Sequence, residues 1–208
     1  PLLWRSLYNY YLGSSFTVQY NNISSEPAPV NLGVKQGGIL SPYLFSFFIN
    51  DLLLKYESLP YGTTIGKTFT GVIAYADDIL LLSSTPFILQ KMINIAKEYG
   101  DTHHLVFNSA SGKSNIACFN EQKHIRPKFY LGCDELVYVT KFTHLGFEWD
   151  TTDSRLLLTH VNNKIKRFKS SAQSLIVKGL KYYHPDTIAT LIKVQLLPLL
   201  YGCLVIHL

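Results

Sequence analysis

Two neighbouring carboxylates, Asp77 and Asp78, stand in the tetrapeptide Tyr75-Ala76-Asp77-Asp78, between stretches that carry no other charge. The flanks, Phe69–Ala74 and Ile79–Leu82, read as two buried strands meeting at a tight turn. An ionised carboxylate buried without a cation costs several kcal/mol, so the pattern points to a divalent cation. Hard Mg²⁺ takes oxygen ligands of this kind. Successive strand side chains point to opposite faces, so adjacent aspartates share one target only if a turn reorients them. A hairpin tip does that; it makes Asp77 the nearer ligand and Asp78 an outer or partial one. The competing possibility is a solvated β-turn, where aspartate is common.

A second segment with chemical potential is Gly33-Val-Lys-Gln-Gly-Gly-Ile-Leu-Ser-Pro42. Gly37 and Gly38 let backbone come close to a ligand. The helix start after Ser41 offers amide donors to a phosphate, and an ordinary loop before a helix is the bland alternative. Gly112-Lys113-Ser114 is no phosphate loop, because Phe107 holds the place of its earlier glycine. His103-His104 lacks a carboxylate or cysteine at ligand spacing and reads as a loop pair. Asp51, inside an apolar helix, reads as a hydrogen-bonded or helix-end residue rather than a catalytic one.

The elements around these segments are a mixed series. Leu2–Leu12 has helical spacing closed by Gly13, and Phe16–Tyr20 alternates like a strand with Val30–Val34 as its hairpin partner. Ser41-Pro42 and Thr85-Pro86 each read as a hydroxyl cap followed by proline at a helix start. The first of these helices, running to about Tyr56, is apolar almost all round and should be buried. The second presents Leu89, Met92, Ile93, Ala96 and Tyr99 on one face and is expected to end at Gly100. Short strands follow at 115–119, 129–131, 136–139 and 142–149. A long amphipathic helix then carries Leu157, Val161, Ile165, Phe168, Ala172 and Leu175, with a basic run of Lys164, Lys166, Arg167 and Lys169. His184-Pro185-Asp186 breaks it before a last apolar helix. The order predicts an α+β region over 1–150 and an all-α region over 151–208.

At 208 residues, 47% apolar and 16% charged, the chain is no disordered tail and can hold one sizeable core. A net charge of +5 favours an anionic partner without naming one. Three scattered cysteines form neither a disulfide framework nor a zinc pattern, so a reducing, intracellular setting is expected. The apolar stretch 189–208 is interrupted by Lys193, Gln195 and Pro198 and reads as a buried helix, so no membrane is expected as a partner. No leader segment is evident, and the chain reads as a fragment.

Taken together and in this order, the two segments resemble the reverse transcriptases, most closely those of non-LTR (LINE-like) retrotransposons. Gly33–Pro42 is similar to the family's Gly-Val-x-Gln-Gly-x-x-x-Ser-Pro element, and Tyr75–Asp78 to its catalytic hairpin. Leu105–Asn108 with Lys113-Ser114, Phe142-Thr-His-Leu-Gly146, and Pro198–Gly202 are similar to later elements. The resemblance implies a partial polymerase palm, an antiparallel sheet with packed helices, over 1–150 and a thumb-like helical region over 151–208. It implies RNA-directed DNA polymerisation by a two-metal mechanism with Mg²⁺, or Mn²⁺ in its place, using an RNA template, a DNA primer and deoxynucleoside triphosphates. A nuclear or cytoplasmic location follows from the same likeness.

By that resemblance Asp77 and Asp78 are the catalytic metal ligands, and Gln36, Gly37, Gly38, Ser41 and Tyr75 meet the template and nucleotide. Phe142, His144, Leu145 and Gly146 grip the primer, and Lys113 neutralises the leaving pyrophosphate. Two departures stand out. Four residues, Ser109–Gly112, separate the Asn and Lys elements where the family has two. No residue before Glu26 is acidic, so the family's upstream catalytic aspartate, with the fingers and early palm, is expected elsewhere in a longer protein. These residues alone are therefore expected to be inactive. The alternatives are a decayed or repurposed RNA-binding copy and an intron-encoded maturase-type enzyme. An RNA-dependent RNA polymerase is disfavoured by Ala76, where that class has glycine.

Overall fold

The computed structural model describes residues 2–60, 62–110, 112–119, 126–177, 179 and 182–204, with side chains as far as Tyr201. The chain divides into two units, Pro1–Leu54 and Lys55–Leu208.

In the first unit, helix α1 (Leu2–Tyr11) ends as expected, with Gly13 at φ +71°. The strand expected over 16–20 is instead broken. Its first piece, β1 (Ser15–Phe16), pairs with β4 (Ala28–Pro29), and its second, β2 (Gln19–Tyr20), pairs with β3 (Ile23–Ser24). The cause is Asn21-Asn22, both left-handed at φ 45° and 62°, which close a two-residue turn at once and leave no long loop for Val30–Val34 to return across. Helix α2 (Ser41–Glu57) has the expected length, yet it is not buried all round. Ile49 and Leu52 are covered, whereas Tyr43, Phe47 and Leu54 are 73%, 82% and 52% exposed. Apolar residues on every side do not bury a helix unless something packs on every side, and among the described residues nothing covers that face.

The second unit begins within the last turn of α2, at Lys55; there Tyr56 is fully buried and donates from its hydroxyl to the Met92 carbonyl at 2.7 Å. Burial pushes its pKa up, so it serves as a neutral donor. A hairpin of β5 (Thr64–Ile65) and β6 (Thr68–Phe69) turns through Gly66. It leads into β7 (Val72–Tyr75) and β8 (Asp78–Leu81). Helix α3 (Pro86–His103) is capped by Thr85, whose hydroxyl accepts from the Ile88 amide. It runs one turn past Gly100 to a left-handed His104. Gly100 does not stop the helix. A Cβ there would lie 2.4 Å from the Leu105 carbonyl oxygen, so the glycine lets the departing chain cross back over the helix.

The apolar face of α3 joins Ile116, Phe129, Leu131 and Leu136 in one core, with Leu81, Leu89, Phe107 and Tyr138 packed around it. The core-side strands are β9 (Asn115–Ile116), β10 (Tyr130–Leu131), β11 (Asp134–Glu135) and β12 (Val137–Tyr138); β9 and β12 run parallel. The strand expected over 142–149 is a hairpin, β13 (Lys141–His144) and β14 (Phe147–Asp150), turned at Leu145-Gly146. Helix α4 (Leu158–Val177) follows. After the expected break come α5 (Pro185–Leu191), a π-helical turn (Ile192–Leu196) and α6 (Leu197–Leu204). The one fully buried side chain described on α4 is polar His160, and the apolar stripe beside it is only half-covered.

The architecture is mixed α+β, as expected, but among the described residues the strands pair two by two rather than joining into one antiparallel sheet. Strands of two to four residues leave most edges free, and such pairs draw stability from the helices beside them. Residues 205–208 of the expected last helix lie outside the described ones, and no described helix is long and apolar enough to cross a membrane.

Gly100→Ala tests the close crossing. The added methyl group must displace backbone, and the expected cost is about 1–3 kcal/mol in urea unfolding. A loss below roughly 0.5 kcal/mol would mean that the crossing relaxes freely.

Candidate active site

The β7–β8 ladder pairs Val72 with Leu81, Ile73 with Leu80, Ala74 with Ile79 and Tyr75 with Asp78, leaving only Ala76 and Asp77 in the turn. Strand alternation then assigns the faces. Val72, Ala74, Ile79 and Leu81 are half-buried on the side where Leu81 meets the core. On the other face Ile73, Tyr75 and Asp78 are exposed, Tyr75 at 68%, and Leu80 opposite Ile73 is half-buried. Asp77 at the tip and Asp78 at the first rung are thus neighbours, and both are exposed. The expectation that they are buried between apolar strands is corrected: the two-residue turn puts Asp77 in water, and the first rung leaves Asp78 exposed beside it, beyond the half-buried part of the ladder.

Ala76 carries this turn at φ 51°, a left-handed conformation normally left to glycine. Asp77 is not left-handed, so only the first turn residue is strained, the pattern in which glycine is preferred. The hairpins at Gly66 and Gly132 place glycine at the equivalent first turn position.

The Gly33–Pro42 segment lies in the first unit. Gly33 and Gly37 are left-handed, at φ 90° and 75°. Ser41 does not cap α2 with its hydroxyl, which turns back to donate to the Lys35 carbonyl. That carbonyl also accepts from the Gly38 amide at 3.0 Å. A Cβ on Gly38 would sit 2.7 Å from the Ser41 hydroxyl, so this glycine serves the loop's own closure. Gln36 and Ile39 are left exposed at its rim, Ile39 at 88%.

Three further parts belong to the second unit, as Asp77 and Asp78 do. Lys113 is exposed in a turn, its amide donating to Ala110 at 3.0 Å. On the β13–β14 hairpin, Phe142 stacks on Trp149 with centroids 6.2 Å apart and planes 7° apart. His144 is half-buried, and the tip, Leu145 (φ 51°) and Gly146 (φ 80°), is what the hairpin presents. On α4, Asn163, Lys166, Arg167, Ser170 and Ser171 fall on one helical stripe and, with Leu199 of α6, line a groove of about 560 Å³. Helix α4 has no acidic residue, and Lys166 and Arg167 make no ion pair among the described residues.

A network unforeseen from the sequence closes the open end of that hairpin and reaches α4 through Thr159, whose hydroxyl donates to Asp150 at 3.4 Å. Asp150 is 5% exposed, paired with Lys141 across the ladder at 3.1 Å. The Thr152 hydroxyl and amide donate to it, and with Lys141 they hold its carboxyl at about 2. Its ionised form therefore adds stability above the ordinary carboxylate range, and this is lost as pH falls through about 2. The signal was present in the alternation of Glu148 and Asp150 with Phe147 and Trp149, but only the register shows Lys141 opposite.

As a cation site, Asp77 and Asp78 supply the hard, exposed oxygen donors that magnesium takes, so the residues fit it as part of a ligand set. Among the described residues no group of three or more His, Cys, Asp or Glu side chains completes that set.

Comparison with known proteins gives the same direction. The model of the family "Reverse transcriptase (RNA-dependent DNA polymerase)" matches residues 2–149, well over half of the chain. The Pol polyprotein of the type-1 retrotransposable element R2 of Popillia japonica is 44% identical over 61 residues, 29% of this chain and 9% of that protein. That of the type-2 retrotransposable element R2DM of Drosophila melanogaster is 27% identical over 157 residues, 69% of this chain and 14% of that protein. The chain thus spans a small part of each of these relatives.

Ala76→Gly should relieve the left-handed turn without moving the aspartates. The expected gain is about 0.5–1 kcal/mol in unfolding free energy, since glycine removes the steric cost but adds unfolded-state entropy. A clear loss would show that Ala76 does not adopt this conformation.

Proposed function

The chain belongs to the reverse transcriptase (RNA-dependent DNA polymerase) family, and on that premise we propose that it is part of a non-LTR retrotransposon polymerase: later palm over residues 1–150, thumb-like region over 151–208. Its proposed substrates are an RNA template, a DNA primer and deoxynucleoside triphosphates. The observation that carries the reading is the pair Asp77 and Asp78, side by side and exposed at the tip of a core-anchored hairpin.

Nucleotidyl transfer is an in-line displacement: the primer 3′-oxygen bonds to the α-phosphorus of the nucleotide as pyrophosphate leaves. Magnesium, or manganese in its place, would when bound supply positive charge that lowers the hydroxyl pKa and offsets charge on the leaving oxygens. The protein's own part is positioning and electrostatics. Asp77 would hold the ion, and Asp78 would support it from the first rung. Gln36, Gly37 and the exposed loop rim meet the nascent base pair, and the Leu145-Gly146 tip bears on the primer end. Phe142 and His144 complete that primer grip from the same hairpin. Lys113 neutralises the pyrophosphate, and Lys166 and Arg167 take backbone phosphates along α4.

Glu26 is the one acidic residue ahead of the glycine segment. Asp77 and Asp78 alone do not hold two ions, so the third carboxylate must come from another part of the polypeptide. Primer extension on poly(rA)/oligo(dT) with Mg²⁺ tests this. The 208 residues alone should incorporate nothing. A longer polypeptide containing them should incorporate, and Asp77→Asn should cut that by roughly 10²–10³-fold, the scale of losing one preorganised electrostatic group. Incorporation by the 208 residues that disappears in Asp77→Ala would overturn the third-carboxylate argument.

Nucleic-acid binding gives a second check. Lys166→Ala and Arg167→Ala should each lower the slope of log affinity against log salt by about 0.7–0.9, the value for one lost phosphate contact. An unchanged slope in both variants would remove α4 from the interface.

A further inference from the structure

In a hairpin closed by a two-residue turn, the first rung is hydrogen-bonded and the next is not, so that second rung points its amides outward. In β13–β14 the first rung is His144–Phe147 and the second Thr143–Glu148. The Glu148 N–H therefore lies on the free edge of β14, where an unpaired donor needs a partner. Its partner is His160 of α4, whose Nδ1 accepts it at 3.1 Å. The imidazole is 1% exposed, with its ring 5.2 Å from that of Phe147. One helical turn on, Asn163 donates to the Glu148 carboxylate.

The acceptor role fixes the tautomer: Nδ1 carries no proton, so the proton sits on Nε2. That Nε2 is buried and has no partner among the described residues. A second proton, placed on Nδ1, would point one donor straight at another. The docked edge thus accommodates imidazole and not imidazolium.

We propose that His160 is the positioning residue that docks the Leu145-Gly146 hairpin on the basic helix α4, and that protonating it releases the hairpin. The inference rests on the polymerase reading only for what the hairpin tip holds. The charged groups around the ring act unequally. Burial disfavours its charged form, Lys164 and Arg167 on α4 do likewise, and Glu148 on β14 opposes them; the net direction is a lowered pKa. Asp150 on β14 is occupied by Lys141, Thr152 and Thr159. The π-helical turn brings Lys193, and the sequence of α6 holds no charged residue. A folded-state pKa below the ordinary histidine value of about 6.5 means that docking is complete above it. Docking weakens as pH falls through the lowered value.

The test uses the whole chain with Trp4→Phe, leaving Trp149, next to Glu148, as the only tryptophan reporter. At pH 7.5, long-range ¹H–¹⁵N spectra should show His160 as the Nε2–H tautomer, identified by the signal lost in His160→Asn. On acidification below about pH 6.5 the Trp149 emission should shift to the red. His160→Asn keeps an acceptor at the Nδ1 position but cannot be protonated there, and should abolish the shift while staying docked. His160→Ala should show the red-shifted emission at neutral pH and exchange the Glu148 amide about tenfold faster. Glu148→Gln should keep the acid shift, which separates His160 from the neighbouring carboxylate. An Nδ1–H tautomer, an unchanged acid shift in His160→Asn, or its disappearance in Glu148→Gln would each overturn the proposal. None of these readouts depends on polymerase activity, so failure here and failure of primer extension are separate results.

Discussion

Both turns that present the candidate chemistry bend through a residue with a side chain in left-handed backbone, Ala76 and Leu145, each at φ 51°. The hairpins at Gly66 and Gly132 put glycine at the same point. A two-residue turn is the tightest way to reverse a strand, and its ladder fixes where the next residue lies. For β7–β8 this brings a second aspartate onto the first rung beside the one in the turn. For β13–β14 it narrows the tip to one exposed aliphatic residue and a glycine. Backbone strain of this kind persists only where the surroundings over-determine it. Here the surroundings are the core face of β7–β8 and the α4 contacts of β14.

Much of this was legible because local rules decided it. Proline after a hydroxyl residue marked the start of α3, and α1 closed at Gly13 as its spacing foretold. The two-residue turn around Ala76 followed from apolar runs on either side of an acidic dipeptide. What failed was whatever depended on the partner of an element. Ser41 has the chemistry of a helix cap, but the Lys35 carbonyl competes for its hydroxyl. Gly100 reads as a stop signal because stops and close crossings call for the same residue. The burial of α2 and of the two aspartates was inferred from apolar composition, which states what could be covered and not what is. No periodicity shows that an imidazole covers the edge of a strand twelve residues before it.

The two units differ in how their elements are held. In the second, polar groups of helices and loops do work that a neighbouring strand does elsewhere. Gln90 of α3 both donates to the Tyr130 carbonyl, at 2.8 Å, and accepts from its amide, at 2.9 Å, standing in for a ladder neighbour. His160 and the Leu156 carbonyl do the same for the outward amides of Glu148 and Asp150. Short strands are viable here because helices and loops supply the second half of each ladder. The first unit has few such substitutes, and the side chains of α1 and much of α2 remain exposed.

The π-helical turn at Ile192–Leu196 has a geometric consequence for the groove beside α4. It accommodates one residue more than an α-helical turn, so everything after it is rotated by about 100° around the helix axis relative to an uninterrupted helix. Leu199 reaches the wall of the groove from that rotated position. The inserted residue thus works as a phase setter: dropping one residue from the turn would swing Leu199 off the wall and leave the cationic stripe of α4 without that apolar neighbour.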